Sequence, residues 1–139
     1  MKFAKKNLFV QTSQLPNAGQ GLFTKVAIPK GTYIIEYTGK VSSWKDVDHE
    51  GGFNSYIYFM NRNHVINASK TKAALARYAN DARGLVKVKG LTNNAVYEEE
   101  GKKVYIRAMK DIEAGEEIFV RYGKEYWDVI KENYKDQKK

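Results

Sequence analysis

The sequence predicts one α+β domain that is mostly β. Short runs rich in β-branched and aromatic residues recur along the chain, and turn residues such as Gly, Pro and Asn separate them. Helical signals are few: two segments predict helices, and residues 44–52 predict a polar loop or a short helix. A chain of 139 residues is long enough for one modest hydrophobic core and too short for two, so we expect a single domain over residues 1–139.

Strands dominate the predicted first half. A loop dense in turn formers, residues 15–21, separates the first two strands. The turn Pro29-Lys30-Gly31 precedes a strand that is β-branched and aromatic enough to be buried. The predicted strands of this half are Leu8–Thr12, Gly21–Lys25, Tyr33–Tyr37, Ser55–Met60 and Val65–Ile66.

The second half adds the helices. The alanine-rich segment Thr71–Tyr78 predicts the one interior helix. A Glu-Gly-Lys turn between two strand-like runs, 94–99 and 103–109, predicts a hairpin, and Ile118–Tyr122 is the last predicted strand. Helical periodicity predicts a C-terminal helix over 125–134, and we expect residues 1–7 and 135–139 to be frayed basic ends.

One internal echo is present in the sequence. Ile28-Pro-Lys-Gly31-Thr-Tyr-Ile34 resembles Ile112-Glu-Ala-Gly115-Glu-Glu-Ile118. Two copies are too few for a solenoid, so the echo predicts two similar units in which a turn leads into a strand.

Composition excludes several classes of protein. The chain has no cysteine and only two histidines, His49 and His64, so we expect no disulfide framework and no metal site. No apolar run is long enough to cross a membrane and the N-terminus lacks a signal-like apolar core, so we expect an intracellular protein without a membrane partner. The net charge of +8 is compatible with an acidic or nucleic-acid-bound partner, and we expect any nucleic-acid contact to be indirect.

Individual motifs are weak when taken one at a time. Gly19-Gln20-Gly21 is a turn more often than a ligand loop, and a tyrosine before glycine, as in Tyr37-Thr38-Gly39, is usually a half-buried core residue. The stretch ARYANDARG, residues 76–84, runs from apolar residues abruptly into Asn80-Asp81. Either a helix ends there in a turn, or the two polar side chains hold a ligand.

Four segments together resemble the SET-domain family of protein-lysine methyltransferases. They are NAGQGLFTKVAIPKGTYIIEYTGK, HVINASKTKAALARYANDARG, TNNAVY and DIEAGEEIFVRYGKEYW, and they follow one another in the order of the family. The resemblance implies a fold of several small sheets with short helices and a C-terminal pseudoknot. In that pseudoknot the closing strand would bring Asn80, Asn94 and Tyr122 together. It also implies transfer of a methyl group from S-adenosylmethionine, without a metal, to a lysine of a protein such as a histone or a ribosomal protein.

The resemblance implies a site for the methyl donor. Gly19, Gln20 and Gly21 would cradle the amino-acid end of the donor with main-chain groups, because glycine allows close approach of the backbone. Asn80 would hydrogen-bond the donor, with Asp81 close beside it, which answers the question that ARYANDARG raises. Trp127, in the C-terminal helix, would form a lid and replace the zinc-binding tail of many family members.

The resemblance also implies a channel for the substrate lysine. Tyr37, Tyr97 and Tyr122 would line it as catalytic residues. Tyr56 and Tyr58 lie on the strand with which an extended substrate peptide could pair. Tyr97 stands where the family carries Tyr or Phe, and Tyr there tends to accompany monomethylation, so we expect predominantly mono-methylated product.

The sequence departs from the family pattern around the donor pocket. Asp81 replaces a histidine, Asn93 stands where proline is usual, and the segment between Asn80 and Asn94 is longer than in compact members. The alternative hypothesis is therefore a catalytically degenerate module that binds an acidic or nucleic-acid-associated partner.

Overall fold

The structure is a computed structural model that describes residues 3–16, 18–47, 56–71, 74–82 and 88–121. Tyr122, Trp127 and the helix predicted over 125–134 lie outside the described residues. Within the described residues the strands are β1 (Leu8–Thr12), β2 (Gln20–Thr24), β3 (Tyr33–Glu36), β4 (Lys40–Ser42), β5 (Ile57–Asn61), β6 (His64–Asn67), β7 (Ala95–Glu100), β8 (Lys103–Ala108), β9 (Glu117–Ile118) and β10 (Val120–Arg121).

The described strands form three small sheets. Their strand orders are β1-β2-β9, β10-β7-β8-β3 and β4-β6-β5. Strands β7 and β8 form the predicted antiparallel hairpin, with Ala95 opposite Ala108 and Glu100 opposite Lys103. Strand β10 pairs with β7 in parallel, so the end of the described chain returns to the start of that hairpin.

The interior helix is shorter than predicted. The described part of Thr71–Tyr78 contains only a 3-10 helix, Leu75–Tyr78, which is flanked on both sides by extended residues. Ala76 and Ala79 are both buried in the main core. The packing of these small side chains and the bridge from Asn80 to Phe119 hold the chain extended after Tyr78, which overrides the intrinsic helix propensity of alanine.

The N-terminal segment is also more structured than predicted. We expected residues 1–7 to be frayed, but Lys5–Asn7 forms a 3-10 helix and Phe3 packs against the main core. The backbone carbonyl of Asn7 accepts a hydrogen bond of 2.7 Å from the amide of Lys25. An apolar residue near the terminus therefore anchors a segment whose lysines suggested disorder.

The two echoing segments pair with each other. Ile28 and Ile112 form an antiparallel bridge, with amide-to-carbonyl distances of 2.8 and 2.9 Å in the two directions. Both isoleucines are buried, and the turns that follow contain Gly31 and Gly115, each with a positive φ. A strand follows each turn, as predicted.

The main core lies between the sheets and is built from their inward-facing aliphatic residues. Its largest fully buried side chains include Leu22, Ile106, Ile118 and Val120. The buried polar or charged residues are few, and three of the described ones, Asp81, Asn94 and Glu117, are found where β9 and β10 meet earlier segments. Burying a polar group costs free energy unless the group is hydrogen-bonded, so these three residues mark a candidate site.

Candidate active site

The closing segment, which we define as residues 117–121, runs between two earlier parts of the chain. On one side, the amide of Val120 donates to the carbonyl of Asn80 at 2.8 Å. On the other side, the side-chain amide of Asn94 donates to the carbonyl of Glu117 at 2.9 Å, and its Oδ1 accepts from the amide of Phe119 at 2.9 Å. Asn80 and Asn94 therefore both contact the closing segment, as the sequence predicted.

The glycine loop is held next to Asn80. The Nδ2 of Asn80 donates to the carbonyl of Gln20 at 3.0 Å. Gly19 has a φ of 71°, and no atom lies within 4 Å of the position that a Cβ would occupy there. Gly21 faces the opposite situation, because its Cβ position is filled by the carboxylate of Glu117. The two glycines thus serve different needs, an open cradle at Gly19 and close packing at Gly21.

A cavity of about 170 Å³ lies beside this loop. It brings together one residue from the predicted substrate strand and three from the predicted donor site. The lining residues are Ala18, Gly19, Gln20, Tyr56, Arg77, Tyr78 and Asn80.

Arg77 is a cavity residue that sequence reasoning missed. Its Nη1 donates to the carbonyls of Ala68 and Ser69 at 2.8 and 3.0 Å. Its guanidinium lies over two rings, 4.2 Å from the centroid of Tyr56 and 5.1 Å from that of Tyr78. The sequence does contain a signal for Arg77, which is an arginine within ARYANDARG, three residues before Asn80. The residues that it contacts come from other segments, so the sequence alone did not reveal its role.

Three of the predicted tyrosines form one aromatic cluster. The ring centroids of Tyr58 and Tyr97 are 5.0 Å apart, those of Tyr37 and Tyr97 are 5.9 Å apart, and those of Tyr37 and Tyr58 are 6.1 Å apart. The hydroxyl of Tyr37 donates to the carbonyl of Tyr56 at 2.6 Å. Because Tyr56 also lines the cavity, it links the tyrosine cluster to the glycine loop.

The tyrosine cluster disfavours negative charge. Burial, assisted by the nearby charge of Glu99, raises the pKa of Tyr58 to about 12 from the ordinary value of 10.0. Tyr58 therefore remains a neutral phenol at physiological pH. An environment that disfavours a phenolate by desolvation also disfavours any other charged group that enters it.

Asp81 is not among the residues that line the cavity, although it directly follows Asn80. Its side chain is 6% exposed, and its Oδ1 accepts a hydrogen bond of 2.8 Å from the Nδ2 of Asn93. The Oδ1 of Asn93 in turn accepts from the amide of Ala82 at 2.8 Å. The structure thus pairs the two residues at which the sequence departs from the family pattern on either side of the long loop.

Two features are absent from the described residues, a membrane-spanning helix and a cluster of metal ligands. None of the helices there has the length and apolar character needed to span a membrane. Nor does the described part of the chain contain three or more His, Cys, Asp or Glu side chains grouped closely enough to hold a metal ion.

Comparison with known proteins identifies a family. The family model described as "SET domain" matches residues 19–123. Over 139 aligned residues the chain is 29% identical to Histone-lysine N-methyltransferase EZH2 of Chaetomium thermophilum, which covers 92% of this chain and 9% of that protein. It is 31% identical over 112 residues to Histone-lysine N-methyltransferase EZ1 of Zea mays, covering 76% of this chain and 11% of that protein.

A shorter relative and a solved structure extend the comparison. Histone-lysine N-methyltransferase set-17 of Caenorhabditis elegans is 27% identical over 125 residues, covering 89% of this chain and 43% of that protein. The chain therefore spans less than half the length of each of these curated relatives. The methyltransferase domain of human PR domain-containing protein 2 superposes with a TM-score of 0.63 at 22% identity, covering 87% of this chain and 80% of that one. This likeness confirms the predicted fold class, a mostly β arrangement of several small sheets.

Proposed function

Because the chain belongs to the SET-domain family, we propose that it is an S-adenosylmethionine-dependent methyltransferase that modifies a lysine side chain of a protein. One observation carries the proposal. The glycine loop and Asn80 line the same cavity as Tyr56, and the carbonyl of Tyr56 accepts the hydroxyl of Tyr37 from the tyrosine cluster. A donor site and a lysine channel would therefore adjoin each other.

The residues of the cavity fit the donor. The open space at Gly19 leaves room for a ligand against the backbone of the loop, and Asn80 contributes a polar side chain beside it. The buried Nε of Arg77 has no hydrogen-bond partner within the described part of the chain. A guanidinium in the wall suits the carboxylate of the donor, since arginine binds carboxylates through directed hydrogen bonds. The donor, when bound, supplies a methyl group that is already activated on a sulfonium centre.

The tyrosine cluster fits the entry of a lysine. Free lysine has a pKa of about 10.4, so it is largely protonated at neutral pH and cannot act as a nucleophile. The desolvation that raises the pKa of Tyr58 would lower the pKa of a lysine placed among Tyr37, Tyr58 and Tyr97, because it penalises charge of either sign. The remaining task is alignment of the amine, which is catalysis by positioning. In this proposal Tyr122 orients the amine and Trp127 forms a lid over the site.

Rates should depend on pH if this account is correct. The rate of methyl transfer under conditions in which chemistry is rate-limiting is expected to rise from pH 7 toward pH 9, because a larger fraction of the substrate lysine becomes neutral. A rate that stays flat over that range with chemistry rate-limiting would contradict the proposed channel.

The degree of methylation is the finer part of the proposal. The ring of Tyr97 makes T-shaped contacts with both Tyr37 and Tyr58, so Tyr97 belongs to the cluster proposed to receive the lysine. We expect mono-methyl product from the unaltered chain and additional methylation from Tyr97→Phe. Intact-mass analysis of the product distinguishes these outcomes, and trimethyl-lysine made by the unaltered chain would overturn the assignment.

A histone or a ribosomal-type protein is the proposed substrate class. The three relatives reported above are named histone-lysine N-methyltransferases, which supports a histone substrate and an intracellular site of action. The net charge of +8 would repel a free basic histone tail and so disfavour its binding. A substrate already bound to nucleic acid would remove that repulsion, so we expect nucleic acid to contribute only indirectly.

Calorimetric titration with S-adenosylmethionine and S-adenosylhomocysteine tests the donor site without a known substrate. We expect both to bind, and we expect Asn80→Ala to weaken the affinity by about tenfold, as loss of a hydrogen-bonding group in a polar site typically does. Asn63→Ala is the matched control, because Asn63 is exposed in the β5–β6 turn and is expected to leave the affinity unchanged. Absence of binding by the unaltered chain would favour the degenerate binding module instead.

A further inference from the structure

We propose that Asp81 and Asn93 form a clamp that ties together the two segments flanking the closing segment and thereby positions Asn80 for the donor. Neither residue is among those that line the cavity, so both would act as positioning residues. The proposal rests on the proposed function in one respect, since it assumes that the donor binds beside Asn80. The two hydrogen bonds of the clamp are themselves independent of any ligand.

The clamp consists of two hydrogen bonds that use both ends of one amide. The Nδ2 of Asn93 donates to the Oδ1 of Asp81 at 2.8 Å, and the Oδ1 of Asn93 accepts from the backbone amide of Ala82 at 2.8 Å. The two side chains lie 12 positions apart in the sequence. Asp81 is 6% exposed, so water competes little with these bonds.

Each half of the clamp adjoins an asparagine that holds the closing segment. Asn80 accepts from the amide of Val120 through its carbonyl at 2.8 Å. Asn94 grips the other edge through its side chain, donating to the carbonyl of Glu117 and accepting from the amide of Phe119. The clamp therefore joins the two segments that lie on opposite sides of the closing segment.

The clamp reaches the donor site through Asn80. The side chain of Asn80 holds the carbonyl of Gln20 at 3.0 Å and lines the cavity. Its neighbour in sequence, Asp81, is fixed by Asn93. Loss of that bond would weaken the link between the segment that carries Asn80 and the segment that carries Asn94. Binding would then have to order Asn80 at the expense of affinity, since preorganised groups bind more tightly than mobile ones.

The two departures from the family pattern then have one explanation. Asp81 needs a donor at its buried carboxylate, and Asn93 supplies it together with an acceptor for the amide of Ala82. A proline at position 93 could supply neither group. The two residues act as a pair rather than as separate losses of family features.

Exchanging the two side chains tests the clamp. Asn93→Asp places two carboxylates next to each other and removes the donor to Asp81. Asp81→Asn retains an acceptor for Asn93 and serves as the conservative variant. In the double variant, the amide introduced at position 81 can donate to the carboxylate introduced at position 93, which also accepts from the amide of Ala82. Both hydrogen bonds are therefore restored with their chemistry reversed.

Two readouts are needed, the dissociation constant for S-adenosylhomocysteine and the hydrogen-exchange rates of the Val120 and Phe119 amides in the ligand-free protein. We expect Asn93→Asp to weaken binding about tenfold and to accelerate both exchange rates. Asp81→Asn and the double variant should lie within about threefold of the unaltered chain, which is about 0.65 kcal/mol. Ile106→Val, a core change away from the clamp, is the control that lowers the melting temperature without altering the dissociation constant.

The outcomes separate this inference from the proposed function. Asn93→Asp binding as tightly as the unaltered chain, or a double variant no better than Asn93→Asp in either readout, would overturn the clamp. If the unaltered chain binds no donor, the proposed function and the donor-positioning role fail together. The exchange rates then still decide whether the clamp holds the segments of Asn80 and Asn94 against the closing segment.

Discussion

Replacing Gly21 by alanine should destabilise the protein because the added methyl group meets a buried carboxylate. Gly21 is the second residue of β2 and is itself buried. The Cβ of an alanine there would run into the Oε2 of Glu117, 2.9 Å from its Cδ and 3.2 Å from the Cα of Ser13. Real Cβ atoms essentially never approach other heavy atoms so closely, so the carboxylate would have to move.

The loss in the free energy of unfolding can be estimated from the hydrogen bonds that hold the carboxylate of Glu117. Glu117 is 2% exposed, and its two oxygens accept hydrogen bonds from the Ser13 hydroxyl at 2.6 Å and the Gln14 amide at 2.8 Å. Hydrogen bonds to a charged group contribute about 1.5–3 kcal/mol each, so loss of both would cost about 3–6 kcal/mol. A chain of this length unfolds with an entropy of about 0.3 kcal/mol/K, so a loss of 3 kcal/mol lowers the melting temperature by roughly 10 °C.

Urea and thermal denaturation of matched variants measure this effect. Gly19→Ala is the control, because its Cβ would meet no atom within 4 Å and the only cost is the positive φ of 71°, about 1–2 kcal/mol. Combining Gly21→Ala with Glu117→Ala should cost less than the sum of the two single changes, since the second removes the atom that the first displaces. The reasoning is refuted if Gly21→Ala costs no more than Gly19→Ala, or if the two changes at positions 21 and 117 are additive.

Three further predictions concern stability. Gly39→Ala should cost more than about 3 kcal/mol in urea denaturation, because its Cβ would lie 2.5 Å from the carbonyl oxygen of Asn67, a backbone atom that cannot rotate away; a loss under 1 kcal/mol would contradict this. Asn94→Asp should cost about 2–3 kcal/mol, because the carboxylate keeps the acceptor but loses the donor to the carbonyl of Glu117, whereas Asn94→Ala should cost still more. Tyr58 should ionise near pH 12 in the folded chain and near pH 10 when unfolded, so stability present below pH 10 should be lost as pH rises toward 12. Denaturation between pH 9 and 11 should show a smaller decline for Tyr58→Phe, and an equal decline would refute the shift.

Local patterns in the sequence predicted most of the secondary structure. Runs of β-branched and aromatic residues bounded by turn residues predicted strands at nearly every place where the described residues contain one, including the hairpin of β7 and β8, but not at β4. Such runs predict strands well because these side chains fit the pleated, half-buried surface of a sheet. The same reasoning failed for Thr71–Tyr78, where burial of Ala76 and Ala79 and the bridge from Asn80 outweighed alanine's preference for a helix.

The candidate site was also predicted only in part from the sequence. The sequence, through its resemblance to the SET-domain family, selected Gly19, Asn80 and the tyrosines, and the structure brings the described ones to one cavity and one aromatic cluster. It could not show that Arg77 lines that cavity, since its hydrogen-bond partners and one of the rings beneath it belong to other segments. Nor could it show that the carboxylate of Asp81 accepts a hydrogen bond from Asn93.

The sequence by itself determined the strands, the turns and the family of this protein, because those depend on neighbouring residues and on the order of motifs. Only the tertiary structure decided which polar groups meet. Glu117 reaches Ser13 across 104 positions, and Asn94 reaches Phe119 across 25. Such contacts form only when the closing segment passes between Asn80 and Asn94, and no local preference encodes that passage. Which partner each buried polar group has is therefore decided when the chain closes into its tertiary structure, because every buried polar group must find a hydrogen bond there.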